Sequence, residues 1–330
     1  MKEINNKQEW NKKILECKDF TFYQSFEWGE LKADEGWEVR RFYEENSRGD
    51  YCLAQCLNKK ILGITIVWAP GGPLISDDSA ISVLSVFLDK LSDHYTKKGR
   101  FSYIRLNCQT QSSPELSIVF KEKGYAIPYK NIATNYTFMV DEHYFEDINC
   151  NLSKNWKRNL KRSYKSGFDI SIKITLDDLD EIFSIYDELV IFKKLNKTKS
   201  IRQIESLYKK CDNMIVTFLA YKNSHFFSGR IIFLYGNKAF DFLAATTLEG
   251  RKNYASYFLI YEMLKWCGKN NISSFDFSGV DPKDAKGVYN FKKGTGSRLV
   301  EYIGERDKAS SPLVKILFNL GLYFKGFGKD

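Results

Sequence analysis

The chain has 330 residues, of which 43% are hydrophobic and 28% charged, with a formal net charge of +9. This length is too great for one ordinary core and predicts two domains, and the basic charge favours an anionic partner. No apolar run suits a signal peptide or a membrane span, so we expect a cytoplasmic protein. The few histidines do not have metal-ligand spacing, so no metal site is predicted. The cysteines form no Cys-x-x-Cys pair, which predicts reduced thiols.

The hydrophobic pattern and turn residues of the first half of the chain predict helices, a three-strand meander, a long helix and a short strand, in that order. A turn over 58–60 is expected between the last two strands of the meander, and Ala69-Pro70-Gly71-Gly72-Pro73 should interrupt regular structure because of its prolines and glycines. The predicted helices cover 6–17, 25–32, 79–97 and 115–123, and the predicted strands cover 37–43, 51–57, 61–68, 103–106 and 135–140.

A short basic helix is predicted between Ser153, a good N-cap, and Gly167, a good C′ residue. At about 100° per residue its apolar side chains fall on one arc and its cations on the opposite arc. A solvated surface face is one interpretation, and an anion-binding face is the other, favoured because no acid relieves the repulsion between the cations. The apolar arc holds Leu152, Trp156, Leu160 and Tyr164, and the cationic arc holds Lys154, Lys157, Arg158, Lys161, Arg162 and Lys165.

The second half repeats the order of the first half, which predicts an α/β (α+β) fold with two mixed sheets, each flanked by helices. We expect domains over 1–150 and 151–308, and an amphipathic tail over 309–330 that either docks on its own domain or lies in a membrane interface. The predicted strands cover 170–174, 214–221, 227–235, 239–244 and 274–277, and the predicted helices cover 175–192 and 254–267.

Several polar residues in the second half are candidates for chemistry. Asp276, at the end of a predicted strand, either accepts a proton or caps the next turn, and Asp241 is a weaker candidate of the same kind. Arg230 lies in an apolar run and should pair with a carboxylate or with a ligand phosphate. Lys292 is placed in a glycine-flanked turn, where a plain surface lysine is the alternative to a functional one.

Five stretches in the right order resemble the motifs of the FemABX peptidyltransferase family. They are Gln24-Ser25-Phe26-Glu27-Trp28-Gly29 with Lys32, Gly36 and Trp37; Ala69-Pro70-Gly71-Gly72-Pro73; Trp156-Lys157-Arg158-Asn159-Leu160-Lys161-Arg162; Phe275-Asp276-Phe277-Ser278-Gly279; and Val288-Tyr289-Asn290-Phe291-Lys292-Lys293-Gly294-Thr295-Gly296.

The resemblance implies two GNAT-like domains and acyl transfer to an amine. It implies aminoacyl-tRNA as co-substrate with no other cofactor, and a nucleotide- or lipid-linked cell-envelope precursor as acceptor. By resemblance Lys292 would stabilise the transition state or the leaving ribose, and Phe291 would stack on the terminal adenosine. Lys32, expected on the exposed side of its helix, would bind the acceptor's diphosphate. The remaining candidate substrate contacts are Arg230, Trp37, Tyr254 and Tyr257, and packing is the alternative for the last three. The basic helix would contact tRNA through Lys154, Lys157, Arg158, Lys161 and Arg162.

The sequence departs from the family pattern at Gly71, where an arginine is usual, and it carries no inserted coiled-coil arm. Two other functions stay open. One is an acyl-CoA-dependent N-acyltransferase of an amino sugar, although no Arg/Gln-x-x-Gly-x-Gly/Ala run is present to bind CoA. The other is a non-catalytic protein that binds nucleic acid or a membrane surface through its basic face.

Overall fold

The computed structural model describes residues 1–97, 101–173, 201–211, 214–283 and 285–324. The helix predicted over 175–192 lies outside these residues. The chain forms two compact units, one made of Met1–Asn135 together with Glu301–Lys329 and the other of Tyr136–Val300. We call them unit 1 and unit 2.

Within the described residues the strands are β1 (Lys2–Glu3), β2 (Glu38–Glu45), β3 (Tyr51–Ile61), β4 (Ile64–Gly71), β5 (Leu74–Ile75), β6 (Ser102–Gln111), β7 (Tyr136–Asp141), β8 (Asp169–Lys173), β9 (Ile215–Lys222), β10 (His225–Tyr235), β11 (Lys238–Thr246), β12 (Ser274–Val280) and β13 (Arg298–Ala309). The helices are α1 (Lys7–Leu15), α2 (Phe26–Asp34), α3 (Ile81–Thr96), α4 (Pro114–Glu122), α5 (Glu142–Glu146), α6 (Ile148–Asn151), α7 (Lys154–Lys165), α8 (Ile201–Lys210), α9 (Leu248–Lys252), α10 (Ala255–Lys269), α11 (Lys286–Lys293) and α12 (Pro312–Phe324).

Unit 1 is a mixed sheet in the order β1-β2-β3-β4-β6-β13, with β5 paired to β3. Strands β2, β3 and β4 form an antiparallel meander, and β6 returns parallel to β4 after helix α3. The apolar residues of α3 pack on this sheet because they recur at helical spacing; Leu84, Phe87, Leu88 and Leu91 are almost completely buried.

Unit 2 repeats this plan in the order β7-β12-β11-β10-β9-β8. Strands β9, β10 and β11 form the antiparallel meander, α10 follows it, and β12 lies parallel to β11. Its core includes Phe218, Leu264 and Phe275. The predicted repeat of a meander, a long helix and a short parallel strand is therefore present in both units.

The unit boundaries differ from the predicted domains at 150 and 308. Strand β13 pairs with β6 of unit 1 from Tyr302 to Ala309, so the residues that follow unit 2 along the chain complete the sheet of unit 1. The start of unit 2 moves to Tyr136 because β7 pairs with β12. Both differences arise from strand pairing between residues far apart in sequence. Local sequence patterns do not predict such pairing.

The hairpin turn predicted over 58–60 is wrong. Strand β3 continues through these residues, and the turn lies at Leu62 and Gly63, which have φ values of +49° and +80°. Glycine adopts positive φ without strain. Leu62 also has a positive φ, and its side chain is almost fully exposed. The polar and charged residues at 58–60 instead pair with 65–67 across the hairpin.

Candidate functional site

Helix α7 begins and ends where the sequence predicts. The hydroxyl of Ser153 accepts a hydrogen bond from the backbone N–H of Trp156 at 3.3 Å, and Gly167 has a φ of +69° after the last turn. Trp156 and Leu160 are buried, as expected from the apolar arc. Tyr164 is 45% exposed, contrary to the prediction, because its hydroxyl reaches outward to donate to the carboxylate of Glu262.

The six cations of α7 are all exposed. In the part of the chain that the structure describes, none of them forms an ion pair: Arg158 donates to the Asn155 side chain at 2.6 Å and Arg162 donates to the Tyr254 hydroxyl at 2.8 Å. Repulsion between like charges four residues apart destabilises a helix by a few tenths of a kcal/mol for each pair. This face is therefore suited to bind an anion that carries several charges.

An aromatic cluster lies beside α7 and contains three of the predicted site residues. The ring of Tyr257 lies 4.9 Å from that of Trp156 and 4.8 Å from that of Phe291, in edge-to-face geometry. The indole N–H of Trp156 donates to the backbone carbonyl of Phe291 at 3.1 Å. Tyr254 lies 6.0 Å from Tyr257 and has a φ of +62°, a strained conformation for a residue other than glycine.

Lys292 lies on helix α11 rather than in the predicted turn, and its side chain is 9% exposed, which rules out a plain surface lysine. Its ammonium group donates to three successive backbone carbonyls, those of Phe277 at 2.5 Å and of Ser278 and Gly279 at 3.1 Å each. An ammonium has three donors, so these contacts use all of them. Lys292 thus joins the end of α11 to strand β12.

The three carbonyls belong to an irregular part of β12. The register of β12 against β7 shifts between Asp276 and Gly279, and Ser278 has a φ of +60°. Asp276 accepts hydrogen bonds from the Ser278 N–H at 2.7 Å and from the Thr137 hydroxyl. Of the two predicted roles for Asp276, these contacts support the cap, and proton acceptance stays a prediction. Thr137 and Ser278 were not predicted, and the Ser-Gly pair after the carboxylate is the signal that indicates a bulge.

A buried ion pair adjoins this bulge. Arg230 pairs with Asp241, which is the carboxylate alternative predicted for it, and the hydroxyl of Ser278 donates to the carbonyl of Asp241. The Oδ1 atom of Asp241 is buried without a hydrogen-bond partner among the described residues. Burial lowers the pKa of the Lys292 ammonium below its usual value, while the charges of Asp241 and Asp276 oppose that change.

The two predicted contacts at the N-terminal end of the chain, Lys32 and Trp37, belong to unit 1, whereas all the others belong to unit 2. Lys32 is half-buried rather than exposed: its ammonium pairs with Glu35 at 2.7 Å and lies 4.7 Å from the centre of the Trp28 ring. The ring of Trp37 lies 6.0 Å from that of Trp68. Trp37 is half-buried, so both predicted roles of its ring stay open.

The first two sequence motifs form one structural element of unit 1. The buried amide of Gln24 donates to the carbonyl of Pro70 at 2.7 Å and accepts from the N–H of Gln55 at 2.6 Å. The backbone carbonyl of Gln24 accepts from the indole of Trp10 at 2.8 Å. The residue types in these motifs are therefore explained in large part by packing and hydrogen bonding.

Gly71 cannot carry a side chain in this arrangement. Its φ is +75°, and a Cβ atom would lie 2.5 Å from the Cγ2 atom of Thr21 and 3.1 Å from the Cβ atom of Tyr23. Thr21 and Tyr23 therefore occupy the space that an arginine side chain at position 71 would need.

We expect Gly71→Ala to lower the free energy of unfolding by about 2–4 kcal/mol, through backbone strain and overpacking together. Urea unfolding measures this change. Gly49→Ala is the control, since Gly49 has a φ of +89° with no atom within 4 Å of a built Cβ, and it isolates the backbone contribution. Equal losses for the two variants would contradict the steric argument.

A surface groove of about 670 Å³ lies between α6, α7 and α10 in unit 2. Lys157 and Lys161 line it from α7, and Tyr261 and Lys265 line it from α10. Lys265 pairs with Glu262 at 3.1 Å. Tyr261 and Lys265 were not predicted, although their spacing of four residues on a predicted helix places them on one face.

No group of three or more metal-ligating side chains occurs within the described ranges. Six of the seven cysteines are buried and Cys150 is exposed. Burial raises the pKa of Cys56 and Cys267 to about 12, so these thiols stay protonated and are suited to core packing.

Comparison with known proteins agrees with this architecture. A crystal structure of FemX superposes with a TM-score of 0.81 at 17% identity, covering 97% of this chain and 99% of that one. A tandem GNAT protein from the clavulanic acid biosynthesis pathway superposes with a TM-score of 0.52 at 8% identity, covering 84% of each chain. The fold class is confirmed: the chain has two GNAT-like units, each a mixed sheet flanked by helices.

Sequence comparison gives the same answer. The model of the FemAB family matches residues 191–320. A UDP-N-acetylmuramoylpentapeptide-lysine N(6)-alanyltransferase of Weissella viridescens is 24% identical over 313 residues, which cover 88% of this chain and 90% of the relative. A Lipid II:glycine glycyltransferase of Staphylococcus saprophyticus is 26% identical over 148 residues, which cover 43% of this chain and 36% of that relative.

The chain is therefore an enzyme of the acyltransferase class, built on paired GNAT-like units. It is similar to the FemABX peptidyltransferases, whose motifs its five stretches resemble.

Proposed function

We propose that this acyltransferase moves an amino acid from aminoacyl-tRNA onto an amine of a peptidoglycan precursor. The observation that carries the proposal is the alignment with the Weissella viridescens alanyltransferase, which extends over 88% of this chain and 90% of that enzyme. The names of both relatives specify transfer of a single amino acid. The acceptor is a precursor linked to a nucleotide or to a lipid.

The proposed donor suits the charge distribution of unit 2. The cations of α7 have no carboxylate partners among the described residues, and two of them line the groove with Lys265. A nucleic-acid backbone carries a charge on every nucleotide and binds such surfaces by releasing counterions. The aromatic cluster of Trp156, Tyr257 and Phe291 adjoins the same helix and supplies ring surface for a terminal base.

The reaction forms one bond and breaks one. The neutral acceptor amine attacks the ester carbonyl, a C–N bond forms, and the C–O bond to the ribose breaks. One proton of the amine ends on the ribose hydroxyl. Negative charge develops first on the carbonyl oxygen and then on the ribose oxygen, so a fixed donor or cation near both lowers the barrier.

Lys292 is the residue that we assign to this negative charge, and Phe291 beside it stacks on the terminal adenosine. Because the three donors of Lys292 are engaged by backbone carbonyls, its contribution comes from the positive charge, or from one donor that leaves its carbonyl in the transition state. Asp276 is proposed to accept the proton of the amine. Lys32 is proposed to hold the acceptor's diphosphate.

The remaining assignments complete the substrate contacts. Tyr254 and Tyr257 lie at the start of α10 next to α7, where they would contact the donor. Arg230, which pairs with Asp241, would act by fixing that carboxylate near Lys292. Trp37 is proposed to contact the acceptor from unit 1. We propose no cofactor besides the aminoacyl-tRNA, and a cytoplasmic site of action.

The donor is tested by supplying purified protein with a pool of tRNAs charged with labelled amino acids and, in parallel, with labelled acetyl-CoA. The acceptors are a nucleotide-linked muramoyl pentapeptide, its lipid-linked form and an amino-sugar nucleotide. We expect label on the pentapeptide, abolished by ribonuclease. Transfer from acetyl-CoA alone would support the amino-sugar acyltransferase, and no transfer from either donor by folded protein would contradict the proposal.

Charge reversal on α7 should weaken RNA binding. We expect Lys157→Glu with Lys161→Glu to reduce the affinity for charged tRNA at least about tenfold and to lower the slope of log K against log[salt] by about 2, since two phosphate contacts are lost. Filter binding over a range of salt concentrations measures both quantities.

The matched control is Lys12→Glu with Lys121→Glu, which removes the same charge from two exposed lysines of unit 1. An equal loss of affinity in both variants would mean that net charge, rather than the α7 surface, determines RNA binding.

A further inference from the structure

Helix α12 docks on unit 1 through only one of its faces. Val314 is 1% exposed, and the ring of Phe318 stacks on that of Tyr103 at 3.7 Å between centres with an interplanar angle of 16°. The guanidinium of Arg105 lies 5.4 Å from the same ring. The docking alternative predicted for the tail is thus observed, and these contacts fix which face of α12 points away from the unit.

The outward face of α12 is aliphatic. The spacing of its residues is i, i+3, i+4 and i+7, which forms a single stripe along the helix. A contiguous apolar stripe on a surface helix indicates an interaction site, because isolated apolar residues are ordinary but aligned ones are not. The stripe consists of Leu313 at 60% exposure, Ile316 at 56%, and Leu317 and Leu320 at 47% each.

The charges around the stripe identify its partner. No aspartate or glutamate occurs between residues 308 and 324, where α12 carries Lys315; Lys325 and Lys329 follow along the chain, outside the described residues. Lys315 is exposed on α12 itself. Aliphatic side chains flanked by cations match a membrane that contains anionic lipids, with acyl chains below and phosphate groups above. A second copy of the chain would instead bring like charges together.

The described length of α12 is compatible with lying along a surface. Its 13 residues extend about 20 Å, less than the thickness of the hydrocarbon core. Among the described residues, no helix is long and apolar enough to cross a membrane.

We propose that α12 is an interfacial membrane-binding helix, with Leu313, Ile316, Leu317 and Leu320 inserted among acyl chains and Lys315 reaching the anionic headgroups. Val314 and Phe318 hold the helix to unit 1, so membrane binding orients that unit relative to the lipid surface. The proposal rests on the surface itself and not on the proposed function. If the acceptor is lipid-linked, the helix also places the enzyme where its acceptor is concentrated.

Co-sedimentation of the full chain with vesicles tests the proposal. We expect binding to vesicles of phosphatidylcholine mixed with phosphatidylglycerol and weaker binding to phosphatidylcholine alone. Substituting serine at all four positions of the stripe should reduce the partition coefficient at least about tenfold. Lys315→Glu should weaken binding only to the anionic vesicles. The control substitutes serine at four exposed apolar positions elsewhere, Val86, Ile118, Ile127 and Leu248.

Three results would overturn the proposal. One is failure of the wild-type protein to bind either vesicle, and another is an equal loss in the control variant. The third is sedimentation velocity that shows a wild-type dimer made monomeric by the stripe variant, which would assign the stripe to a second copy of the chain. Transfer to the water-soluble acceptor should be unchanged in the stripe variant, so failure of membrane binding is distinguishable from failure of the proposed function.

Discussion

Replacing Lys292 by methionine is expected to lower kcat by about 10²–10³-fold, the loss typical of removing one group that stabilises a developing oxyanion. Methionine has nearly the same length but cannot donate to the carbonyls of Phe277, Ser278 and Gly279, and it leaves the charges of Asp241 and Asp276 less balanced. Single-turnover transfer from labelled aminoacyl-tRNA measures the effect on the chemical step. Lys293→Met is the matched control, since Lys293 is exposed on the same helix.

The pH dependence separates a role of the charge from a role in packing. Burial lowers the pKa of Lys292 below 10.5, so wild-type activity should fall as pH rises through the lowered value, and this alkaline limb should be absent in Lys292→Met. Stability changes in the opposite direction. Between the lowered pKa and 10.5 the unfolded chain binds more protons, so the free energy of unfolding rises with pH in the wild type. Full activity in a folded Lys292→Met variant would contradict the assigned role.

Replacing Arg105 by methionine is expected to destabilise unit 1 by about 3–5 kcal/mol. The guanidinium is almost completely buried and forms a bidentate pair with Asp307, with distances of 2.8 Å and 2.7 Å, and it lies 3.4 Å from Glu305. The substitution leaves two buried carboxylates without a cation. Urea unfolding at neutral pH measures the loss, and Arg48→Met, at an exposed position, is the control.

Acid should partly restore the stability of the Arg105→Met variant. Burial already raises the pKa of Glu305 in the presence of Arg105, and loss of the cation raises it further. A carboxyl whose folded pKa lies above its unfolded value stabilises the fold at low pH and loses that contribution as pH rises through the folded value. The difference between variant and wild type should therefore shrink as pH falls. Adding Glu305→Gln to Arg105→Met should also recover stability, and a further loss would contradict this interpretation.

Local patterns predicted the parts of the fold whose causes are local. Helix α7 is capped by the Ser153 hydroxyl and ends before Gly167, which has a positive φ. Both signals affect only the backbone of nearby residues, so local sequence is enough to predict them. Tyr164 is the exception on its apolar arc, since its exposure depends on Glu262, about a hundred residues away. The hairpin between β3 and β4 was misplaced for a different reason: lysines suggested a turn, but the glycine at 63 determined it.

The candidate site was predicted in composition but not in arrangement. Motifs identified Lys292, Asp276 and Phe291 without showing that α11 carries the lysine or that its acceptors are carbonyls of a distorted strand. The pairing of Arg230 with a carboxylate followed from the cost of burying an unpaired guanidinium, yet sequence could not select Asp241 over a ligand. The groove residues Tyr261 and Lys265 were missed because no motif marks them.

The contribution of β13 to unit 1 affects how the protein must be made. During translation Met1–Asn135 is synthesised long before β13, the strand that pairs with β6. One edge of β6 is therefore unpaired while Tyr136–Val300 is synthesised. An open strand edge of this kind invites pairing with other chains. Truncation near residue 300 would therefore damage the N-terminal unit rather than remove a dispensable end.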